Sequence, residues 1–537
     1  MITLSIKGMT CSSCAEHIKE AVEAIKGVWT INISYSDATA EIETVDDIKR
    51  CEIVDAIESL GYTVSELDAA TTKQLHVAII GTGSGAFACA IKAAEGGARV
   101  TMIEGADIIG GCCVNVGCVP SKILIRAAQL AHQQRKNPFD GLENSQPQIN
   151  RSLLALQQTS RVEELRGAKY QKILDNNPAL TLLKGYARFK NENTLLVKKS
   201  DGSDEELIAD RILIATGSTP SIPPINGLAE TPYWTSTEAL FAEALPASLI
   251  VIGSSVIALE IAQAYARLGS NVTVLARHTL LYAEDSLLGE KLTECFEKEG
   301  IRVLNNTQAN KVSHDGSTFS LETNEGTLKT DKLLISTGRY ANTAQLGLEN
   351  VGVKTQKNGA IVVNDKMETS TANIYAAGDC STMPQFVYVA AAAGSRAGIN
   401  MTGGDTRLDL STMPAVIFTD PQVATVGLTE EQANKDGFNV ISRVLDMENV
   451  PRALANFETD GFIKLVADKP TGKILGAQIL AHEGGELIQS AALAIHNNMT
   501  VDDLAGQLFP YLTMVEGLKL CAQTFSKDVS ELSCCAG

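Results

Sequence analysis

The first part of the chain combines the periodicity of strands with that of helices. Apolar and polar residues alternate over 2–6, as in a half-buried strand, and 12–25 places apolar side chains at helical spacing. Two further strand patterns follow at 28–34 and 38–43, and 46–59 has the pattern of a second amphipathic helix. The order βαββαβ predicts a small ferredoxin-like domain.

Residue 75 marks a change to the pattern of a parallel sheet. Residues 74–80, QLHVAII, form an apolar run of the kind that is buried on both faces, and a glycine-rich turn and a helix follow directly. A second unit of strand, glycine turn and helix begins at residue 249. Two such units predict two doubly wound α/β domains that bind dinucleotides. From about residue 410 no glycine fingerprint recurs, which predicts a third, α+β domain.

Length and charge narrow the class of protein. A single core rarely exceeds about 250–300 residues, so a chain of 537 residues should hold several domains. The net charge of −18 argues against binding to nucleic acid and to anionic membrane surfaces. No apolar run reaches the ~20 residues that span a bilayer, and the first residues lack the order of a signal peptide. We therefore expect a cytoplasmic protein without a membrane span.

The twelve cysteines include three close groups. Structural disulfides are not expected in a reducing cytosol, where closely spaced cysteines are typical of metal ligands or redox couples. The groups are Cys11 with Cys14, Cys112 and Cys113 with Cys118, and Cys534 with Cys535. Four others are expected to be buried small hydrophobic residues: Cys51, Cys89, Cys295 and Cys521.

The first glycine turn has the features of a dinucleotide site. Glycines there allow a tight turn and the close approach of a pyrophosphate to the N-terminus of the following helix. The next strand ends at Glu104, about 20 residues after the glycines, where a ribose hydroxyl needs an acceptor. The residues of the turn that we expect to contact the cofactor are Gly81, Gly83, Gly85, Ala86 and Phe87.

The central cysteine pair lies just past this ribose-binding strand. A thiolate there could exchange electrons with a flavin ring, and a helix N-terminus and Lys122 could lower its pKa. Residues 113–122, CVNVGCVPSK, resemble the redox-disulfide signature of the flavoprotein disulfide reductases. The resemblance implies an FAD enzyme in which Cys113 is the outer interchange thiol and Cys118 lies against the flavin, with Lys122 near its ring. A zinc site is not supported, because no further cysteine or histidine nearby has ligand spacing.

The position before the first redox cysteine departs from the family pattern. The family generally has threonine there, whereas this chain has Cys112, which we expect to line the cofactor together with Gly111. A third thiol beside the couple could form a mispaired disulfide or serve as a further metal ligand. We favour a neutral substitution.

The second glycine turn is expected to bind the nicotinamide cofactor. Gly253 and Ser255 form a degraded fingerprint whose place in the chain matches the nicotinamide domain of the family. By that resemblance Glu260 lies near the nicotinamide and can pair with Lys122. The following strand leads to Arg277 rather than to an acid, and a cation there suits a 2′-phosphate, so NADPH is expected rather than NADH.

Further segments resemble other cofactor-contacting parts of the same family. By this resemblance Asp379 holds the ribityl chain of FAD, Val387 contacts the flavin through its backbone, and Ala187 lies on the strand that contacts adenine. Two segments resemble the turns at which the chain crosses between domains, and their residues are Ala215, Thr216, Gly217 and Gly338.

The C-terminal region lacks the acid-base histidine that disulfide-reducing members of this family have. Tyr511 takes its place, although Glu516 is present five residues later. An unperturbed phenol titrates near ~10 and is a poor proton shuttle at neutral pH. It can still act as a weak oxygen ligand or hydrogen-bond donor to a metal that thiolates hold.

The two outer cysteine pairs suit a soft metal, which thiolates select. The segment GMTCSSC, which contains Cys11 and Cys14, resembles the heavy-metal-associated domain. The alternative is a thioredoxin-type redox pair, for which the domain has the wrong topology. Cys534 and Cys535 lie on a short polar tail that could collect an ion and deliver it inward.

Together these features resemble the mercuric reductase family. The resemblance implies that NADPH reduces Hg(II), free or bound to thiols, to Hg(0) through FAD and the cysteine pair. It also implies a homodimer in which the tail of one subunit reaches the active site of the other, a second active-site phenol at Tyr233, and handover of Hg(II) by a membrane mercury transporter. The alternatives are a dihydrolipoamide- or glutathione-type disulfide reductase with an added carrier domain and a non-catalytic metal-sequestering protein.

The same resemblance predicts where the domains begin and end. They are a heavy-metal-associated domain at 1–67, a linker at 68–74, an FAD-binding domain at 75–220 that returns at 346–410, an NADPH-binding domain at 221–345, a dimerisation domain at 411–525 and a Cys-Cys tail, expected to be mobile, at 526–537.

Overall fold

The computed structural model describes residues 2–9, 12–34, 38–44, 50–66 and 74–532, and the chain forms two compact units, Met1–Leu75 and His76–Gly537. The N-terminal unit contains β1 (Ile2–Lys7), α1 (Ser12–Glu23), β2 (Val28–Ser34), β3 (Thr39–Thr44), α2 (Arg50–Ser59) and β4 (Thr63–Glu66). Its antiparallel sheet has the order β2-β3-β1-β4, and one apolar cluster joins the sheet to both helices. The predicted ferredoxin-like order is confirmed.

The second unit begins with a parallel sheet. Its first elements are β5 (His76–Ile80), α3 (Ser84–Glu95), β6 (Arg99–Glu104), α4 (Gly111–Val116), α5 (Cys118–Arg135), α6 (Arg151–Arg166), a π-helical turn (Gly167–Gln171), α7 (Lys172–Asn176), β7 (Leu180–Lys184), β8 (Tyr186–Asn191), β9 (Thr194–Lys198), β10 (Asp204–Ile208), β11 (Arg211–Ile214) and β12 (Ser218–Pro220). Strands β8 to β10 form a separate antiparallel sheet. Its core residues pack against Ala78 and Ile80 while β5 also contacts α3, so β5 is buried throughout.

A second parallel sheet follows, in the order β15-β14-β13-β19. The elements of this region are α8 (Ser236–Phe241), β13 (Ser248–Ile252), α9 (Val256–Leu268), β14 (Asn271–Leu275), α10 (Ser286–Lys298), β15 (Arg302–Leu304), β16 (Ala309–His314), β17 (Phe319–Thr323), β18 (Gly326–Thr330), β19 (Lys332–Ile335) and β20 (Arg339–Ala341). Strand β20, at the end of this region, pairs with β12, which directly precedes it. The chain therefore enters and leaves the region at neighbouring strands.

The chain then returns to the first sheet and continues into an antiparallel one. The return adds β21 (Ile374–Ala376) and α11 (Val387–Met401), and β21 completes the parallel order β21-β11-β5-β6-β7. The last sheet has the order β22-β23-β26-β25-β24. Its region contains β22 (Ala415–Ile417), β23 (Gln422–Gly427), α12 (Glu430–Lys435), β24 (Val440–Asp446), α13 (Pro451–Asn456), β25 (Phe462–Asp468), β26 (Ile474–Ala481), α14 (Gly484–His496), α15 (Val501–Gly506) and α16 (Glu516–Gln523).

This arrangement confirms the predicted fold class, with two doubly wound α/β regions, an α+β region and the N-terminal ferredoxin-like unit. Ligands of open parallel sheets bind at the carboxyl ends of the strands, so the turns after β5 and β13 are where cofactors are expected. None of the helices in the described part of the chain is long and apolar enough to cross a membrane.

Candidate active site

The turn between β5 and α3 brings three backbone segments very close together. Gly81 has a φ of +112°, and a Cβ atom there would lie 2.3 Å from the carbonyl oxygen of Ala215. A Cβ atom on Gly111 would lie 2.6 Å from the Cα of Gly83. Only glycine fits such positions, and the result is a cradle of bare backbone at the N-terminus of α3, where a pyrophosphate can bind.

The carboxylate of Glu104 is held beside this turn at the end of β6. The hydroxyl of Thr82 donates a hydrogen bond to Oε2 of Glu104, and the backbone N–H of Ala106 donates to Oε1 at 2.9 Å. The backbone N–H of Gly110 donates to the carbonyl oxygen of Thr82 at 3.1 Å, which ties the next turn to the same place. The position suits the predicted role of Glu104 as acceptor for a ribose hydroxyl.

Helices α3 and α11 pack against each other with almost no side chain between them. A Cβ atom on Gly394 of α11 would lie 2.0 Å from the carbonyl oxygen of Gly85, so the two backbones touch. Ala86 and Phe87 are buried in α3, and Val387 is the first residue of α11. The structure thus brings the start of α11 into the region of the first glycine turn.

A hydrogen-bonded cluster surrounds Asp379, which follows β21. The hydroxyl of Ser218 donates to Oδ2 of Asp379 at 3.0 Å, and Nε of Arg339 donates to the same hydroxyl oxygen at 2.7 Å. Nη2 of Arg339 also approaches Sγ of Cys112 at 3.7 Å. Sequence reasoning named Asp379 and Cys112 but missed Ser218 and Arg339. Arg339 could have been suspected because it directly follows Gly338 in one of the crossing turns.

The two crossing turns meet in the structure. The side chain of Asn342 donates to the carbonyl oxygen of Thr216 at 3.0 Å, and its backbone N–H donates to that of Gly217 at 3.0 Å. Ala215 is buried directly before them, and Ala187 is buried in β8. The role of these residues toward a cofactor stays a prediction.

The two redox cysteines lie on either side of Gly117. Cys113 belongs to α4, and Cys118 is the first residue of α5, where the helix dipole favours an anion. A hydrogen bond from Cys113, together with the charge of Lys122, lowers the pKa of Cys118 to about 7 against the effect of burial. The same hydrogen bond, together with burial, raises the pKa of Cys113. Cys118 is therefore the thiol that ionises near neutral pH.

An ion pair lies one helical turn beyond Cys118. Nζ of Lys122 is 2.8 Å from Oε2 of Glu260, and only 4% of the Glu260 side chain is exposed. The second carboxylate oxygen accepts the backbone N–H of Phe418 at 3.0 Å, and the Phe418 ring lies 4.5 Å from Nζ of Lys122. The predicted partnership of Lys122 with Glu260 is present in the geometry, and Phe418 is a neighbour that the sequence did not reveal.

Tyr170 is a phenol near the cysteine pair that sequence reasoning missed. Its hydroxyl oxygen lies 3.3 Å from the hydroxyl oxygen of Ser84, and its ring meets Phe87 edge to face at 4.9 Å. Burial raises the pKa of Tyr170, and the charges of Cys113 and Cys118 raise it further, so the three groups share one electrostatic environment. Tyr170 lies in the π-helical turn Gly167–Gln171, a feature that is frequent at functional sites and carries no sequence motif.

Tyr233, the phenol that sequence resemblance suggested, has a different setting. It is half-buried and packs against an apolar cluster of the second sheet that includes Leu228, Ile250 and Leu333. A tyrosine in such a loop is often a packing residue. Its assignment to the active site stays a prediction.

The second glycine turn lies at the carboxyl end of β13, as expected. Gly253 follows the strand, and Ser255 is the N-cap of α9 with an extended backbone. Arg277 is exposed two residues after the end of β14. The neighbouring rings of His278 and Tyr282 stack at 4.4 Å. Gly253, the N-terminus of α9 and Arg277 all follow the carboxyl ends of two neighbouring strands, β13 and β14. This arrangement suits a phosphorylated dinucleotide.

The C-terminal site residues lie in and before α16. Tyr511 is 57% exposed in the loop before the helix, and Leu508 is 96% exposed. Glu516, the first residue of α16, is 8% exposed, and its Oε2 has no hydrogen-bond partner within the described residues. An exposed phenol three residues along the chain from an exposed apolar side chain is suited to a subunit interface.

The outer cysteine pairs are only partly covered by the structure. Cys14 is half-buried in α1, whereas Cys11, Cys534 and Cys535 lie outside the described residues. In the ranges that are described, no three potential ligands cluster so as to hold a metal ion. The predicted role of these cysteines in carrying a metal therefore stays a prediction.

Comparison with known proteins identifies the family. The pyridine nucleotide-disulphide oxidoreductase family matches residues 75–394, its dimerisation domain matches 413–522, and the heavy-metal-associated domain matches 3–63. The chain is 71% identical to a mercuric reductase of Shewanella putrefaciens, with 100% of both chains covered. It is 56% identical to a mercuric reductase of Acidithiobacillus ferrooxidans, with 99% of this chain and 98% of the relative covered.

The chain belongs to the mercuric reductase family. A solved structure of similar fold is the Cu(II) complex of the HOCl-induced flavoprotein disulfide reductase RclA from Escherichia coli. It has a TM-score of 0.76 and 28% identity, and the match covers 84% of this chain and 100% of that one. The likeness supports the assignment of the core to the flavoprotein disulfide reductases.

The mercuric reductase family uses FAD and NADPH, and the residues of this chain fit FAD. The cradle formed by Gly83 and Gly111 admits a pyrophosphate that any side chain would exclude. Glu104 offers a carboxylate for the ribose, and Asp379 offers one, held by Ser218, for a hydroxyl-bearing chain. The donor set is that of a dinucleotide rather than of a resident metal ion.

Proposed function

We propose that this chain reduces Hg(II) to Hg(0) with electrons from NADPH, passed through FAD to the site formed by Cys113 and Cys118. The observation that carries the proposal is a thiol pair, one member of which ionises near pH 7, beside a dinucleotide cradle, in a chain whose full-length relatives are mercuric reductases. In the overall reaction one NADPH gives two electrons to one Hg(II), and NADP⁺, a proton and Hg(0) are formed.

The cofactors are assigned to the two glycine turns. The turn that contains Gly81 and Gly83 holds FAD, with Glu104 on the ribose and Asp379 on the ribityl chain. The turn at Gly253 holds NADPH, where Arg277 favours the 2′-phosphate. When bound, NADPH supplies a hydride and FAD transfers the electron pair onward.

The cysteine pair binds the substrate. Two thiolates suit a soft ion such as Hg(II). Cys118 ionises near neutral pH because Cys113 donates a hydrogen bond to it and Lys122 adds a positive charge, so one ligand is ready at the pH of the cell. Transfer of Hg(II) between thiolates needs no strong acid or base. For this reason the site can function with Tyr511 at the position where disulfide-reducing relatives have an acid-base histidine.

We assign two phenols to the metal site, Tyr170 from the same subunit and Tyr511 from the partner subunit. Tyr170 shares the electrostatic environment of Cys113 and Cys118. Tyr511 is exposed in the region that matches the dimerisation domain, where it is available to a second subunit. Each can donate a hydrogen bond to a thiolate ligand or offer a weak oxygen ligand to Hg(II).

The outer thiols deliver the metal. The dimerisation-domain match indicates a homodimer, and the heavy-metal-associated match supports metal binding by the N-terminal unit. We assign Cys11 and Cys14 to the capture of Hg(II) from small thiols or from a membrane mercury transporter. Cys534 and Cys535 of one subunit then pass the ion to the active site of the other. A cytoplasmic location suits these thiols, which must stay reduced.

NADPH oxidation by the full-length, FAD-loaded protein tests the proposal. Hg(II) with excess thiol should stimulate it and release volatile mercury, whereas oxidised glutathione or lipoamide should not. Stimulation by the disulfides but not by Hg(II) would show a disulfide reductase instead. Binding of Hg(II) without any NADPH oxidation would show a sequestering protein.

A further inference from the structure

Three regions of the fold meet at the carboxylate of Glu260. Lys122 comes from the first α/β region, Glu260 from the second, and Phe418 lies directly after β22 of the antiparallel region. The backbone N–H of Phe418 donates to Oε1 of Glu260 at 3.0 Å, while Oε2 is 2.8 Å from Nζ of Lys122. The ring of Phe418 lies 4.5 Å from the same Nζ, within the range of a cation–π contact. Phe418 therefore contacts both members of the ion pair.

Two further residues of α9 form hydrogen bonds with Asp420, two residues after Phe418. Glu260, Gln263 and Arg267 follow one face of this helix, and each is at most 6% exposed. The side chain of Gln263 accepts the backbone N–H of Asp420 at 2.8 Å and donates to its carbonyl oxygen at 2.7 Å. Nη1 of Arg267 donates to Oδ2 of Asp420 at 2.9 Å.

Arg267 and Asp420, which pair with each other, each have a second polar partner. Nε of Arg267 donates to Oε2 of Glu299 at 2.9 Å, and Oδ1 of Asp420 lies 3.3 Å from Nδ1 of His482. A buried polar group that loses its partner is unfavourable, and the segment cannot slide along α9 without breaking several such contacts. Its place along the helix is therefore well defined.

The position of α9 matters to the redox site because of what each helix carries. The N-terminus of α9 follows the turn of Gly253 and Ser255, which we assign to NADPH. The N-terminus of α5 carries Cys118, with Lys122 one turn later. The Lys122–Glu260 pair therefore connects the helix after the nicotinamide turn with the helix that begins at Cys118. Phe418, from a third region, contacts both members of this pair.

We propose that Phe418 is a positioning residue, which sets where the Lys122 ammonium group lies through its backbone contact with Glu260 and its ring contact with Lys122. Gln263, Arg267 and Asp420 keep Phe418 in register with α9. The inference rests on the proposed function only in that Lys122 and Glu260 act beside the flavin and the nicotinamide. A displaced Lys122 changes the charge near the flavin and the approach of the hydride donor.

The test uses the full-length FAD-loaded protein without mercury. Phe418→Leu keeps the backbone N–H and removes the ring, and Phe418→Tyr keeps both. We expect Phe418→Leu to slow flavin reduction at saturating NADPH by about 10-fold to 100-fold, as small misplacements do, and to make the flavin midpoint potential more negative. Phe418→Tyr should remain close to the wild type in both measurements.

Lys464→Met is the matched control. Lys464 pairs with Asp285 at 2.8 Å and with Glu430 at 3.1 Å, and like Phe418 it joins the second α/β region to the antiparallel region. It is 8% exposed against 36% for Phe418, and it does not contact the α9 residues of this cluster. Lys464→Met should leave the rate of flavin reduction and the flavin midpoint potential unchanged. Equal effects of Phe418→Leu and Lys464→Met would mean that regional packing alone matters, and a wild-type rate and potential in Phe418→Leu would overturn the proposal directly.

Gln263→Leu provides a second route if Phe418→Leu does not fold. It should increase hydrogen exchange at the amides of Phe418 and Asp420 and slow flavin reduction in parallel. Increased exchange with an unchanged rate would refute the positioning role. Failure of the wild type to reduce Hg(II) would count against the proposed function alone, because every measurement here is made without mercury.

Discussion

The ammonium nitrogen of Lys122 lies 2.8 Å from a carboxylate oxygen of Glu260, although 138 positions separate the two residues. The Glu260 side chain is 4% exposed and that of Lys122 is 35% exposed. A carboxylate this well buried needs its partner, since an uncompensated charge in the interior is strongly unfavourable. The pair joins the helix that begins at Cys118 to the helix that follows the second glycine turn.

Glu260→Gln should destabilise the protein and slow flavin reduction. The amide keeps the shape and can still accept the backbone N–H of Phe418, but Lys122 loses its counter-charge. Because Lys122 is partly solvated, we expect a loss of about 1–2 kcal/mol in the free energy of unfolding, less than for a fully buried pair. Urea unfolding measures it. Glu294→Gln, which breaks the exposed pair with Lys291, is the control and should change the same quantity by less than about 0.5 kcal/mol.

Tyr170→Phe should lower Hg(II) reduction without slowing flavin reduction by NADPH. The phenol lies in the electrostatic environment of Cys113 and Cys118, so its loss should affect the metal step, by about 10-fold or more if one hydrogen bond to a charged group is removed. Steady-state turnover with Hg(II) and stopped-flow flavin reduction separate the two steps. Tyr233→Phe is the comparison. A loss confined to Tyr233→Phe would favour the assignment made from sequence resemblance over Tyr170.

Cys112→Thr should leave turnover with Hg(II) within about twofold of the wild type. Nη2 of Arg339 approaches its thiol at 3.7 Å, which is a weak interaction, and Arg339 keeps its hydrogen bond to Ser218 in the variant. Turnover and FAD affinity check this expectation. A marked loss of Hg(II) turnover with normal FAD binding would instead show that Cys112 is a third metal ligand.

A mixed dimer tests whether the C-terminal tail acts on the partner subunit. One subunit carries Cys113→Ala, and the other carries Cys534→Ala with Cys535→Ala. If the tail acts between subunits, the subunit with an intact Cys113 receives the intact tail of its partner, and about half of the wild-type activity should remain. If the tail acts within its own subunit, neither site is complete and the mixed dimer should be inactive. The two parent homodimers are the controls.

His482 should make stability depend on pH. Its hydrogen bond to Asp420 raises the pKa of the imidazole, and the charges of Asp420 and Glu458 favour the protonated form as well. The stabilisation is therefore complete below the unfolded pKa of about 6.5 and is lost as the pH rises through the higher folded value. Unfolding midpoints of the wild type and His482→Gln should differ most at acidic pH and converge at alkaline pH. His496→Gln, which replaces an exposed imidazole, is the control variant.

The parts of this protein that depend on residues close together in the chain could be predicted from the sequence. The glycine turns, the acid at Glu104, the pair Cys113 and Cys118, and the βαββαβ order of the N-terminal unit all have spacings that local backbone geometry determines. Helix and strand periods likewise reflect which side of an element is buried, so the fold class followed from them. The substitution of Tyr511 for a histidine distinguished metal reduction from disulfide reduction.

Contacts between distant residues were decided only by the tertiary structure. Tyr170 carries no motif, and a π-helical turn brings it to the cysteines, whereas Tyr233 packs in an apolar cluster. The sequence could draw attention to Arg339, which follows Gly338, but not to its contact with Cys112. The contacts of Phe418 with Lys122 and Glu260 could not be inferred from spacing either, because each contact joins separate regions of the fold. Sequence periodicity reports burial along one element, and the docking of one element against another depends on the packing of the whole core.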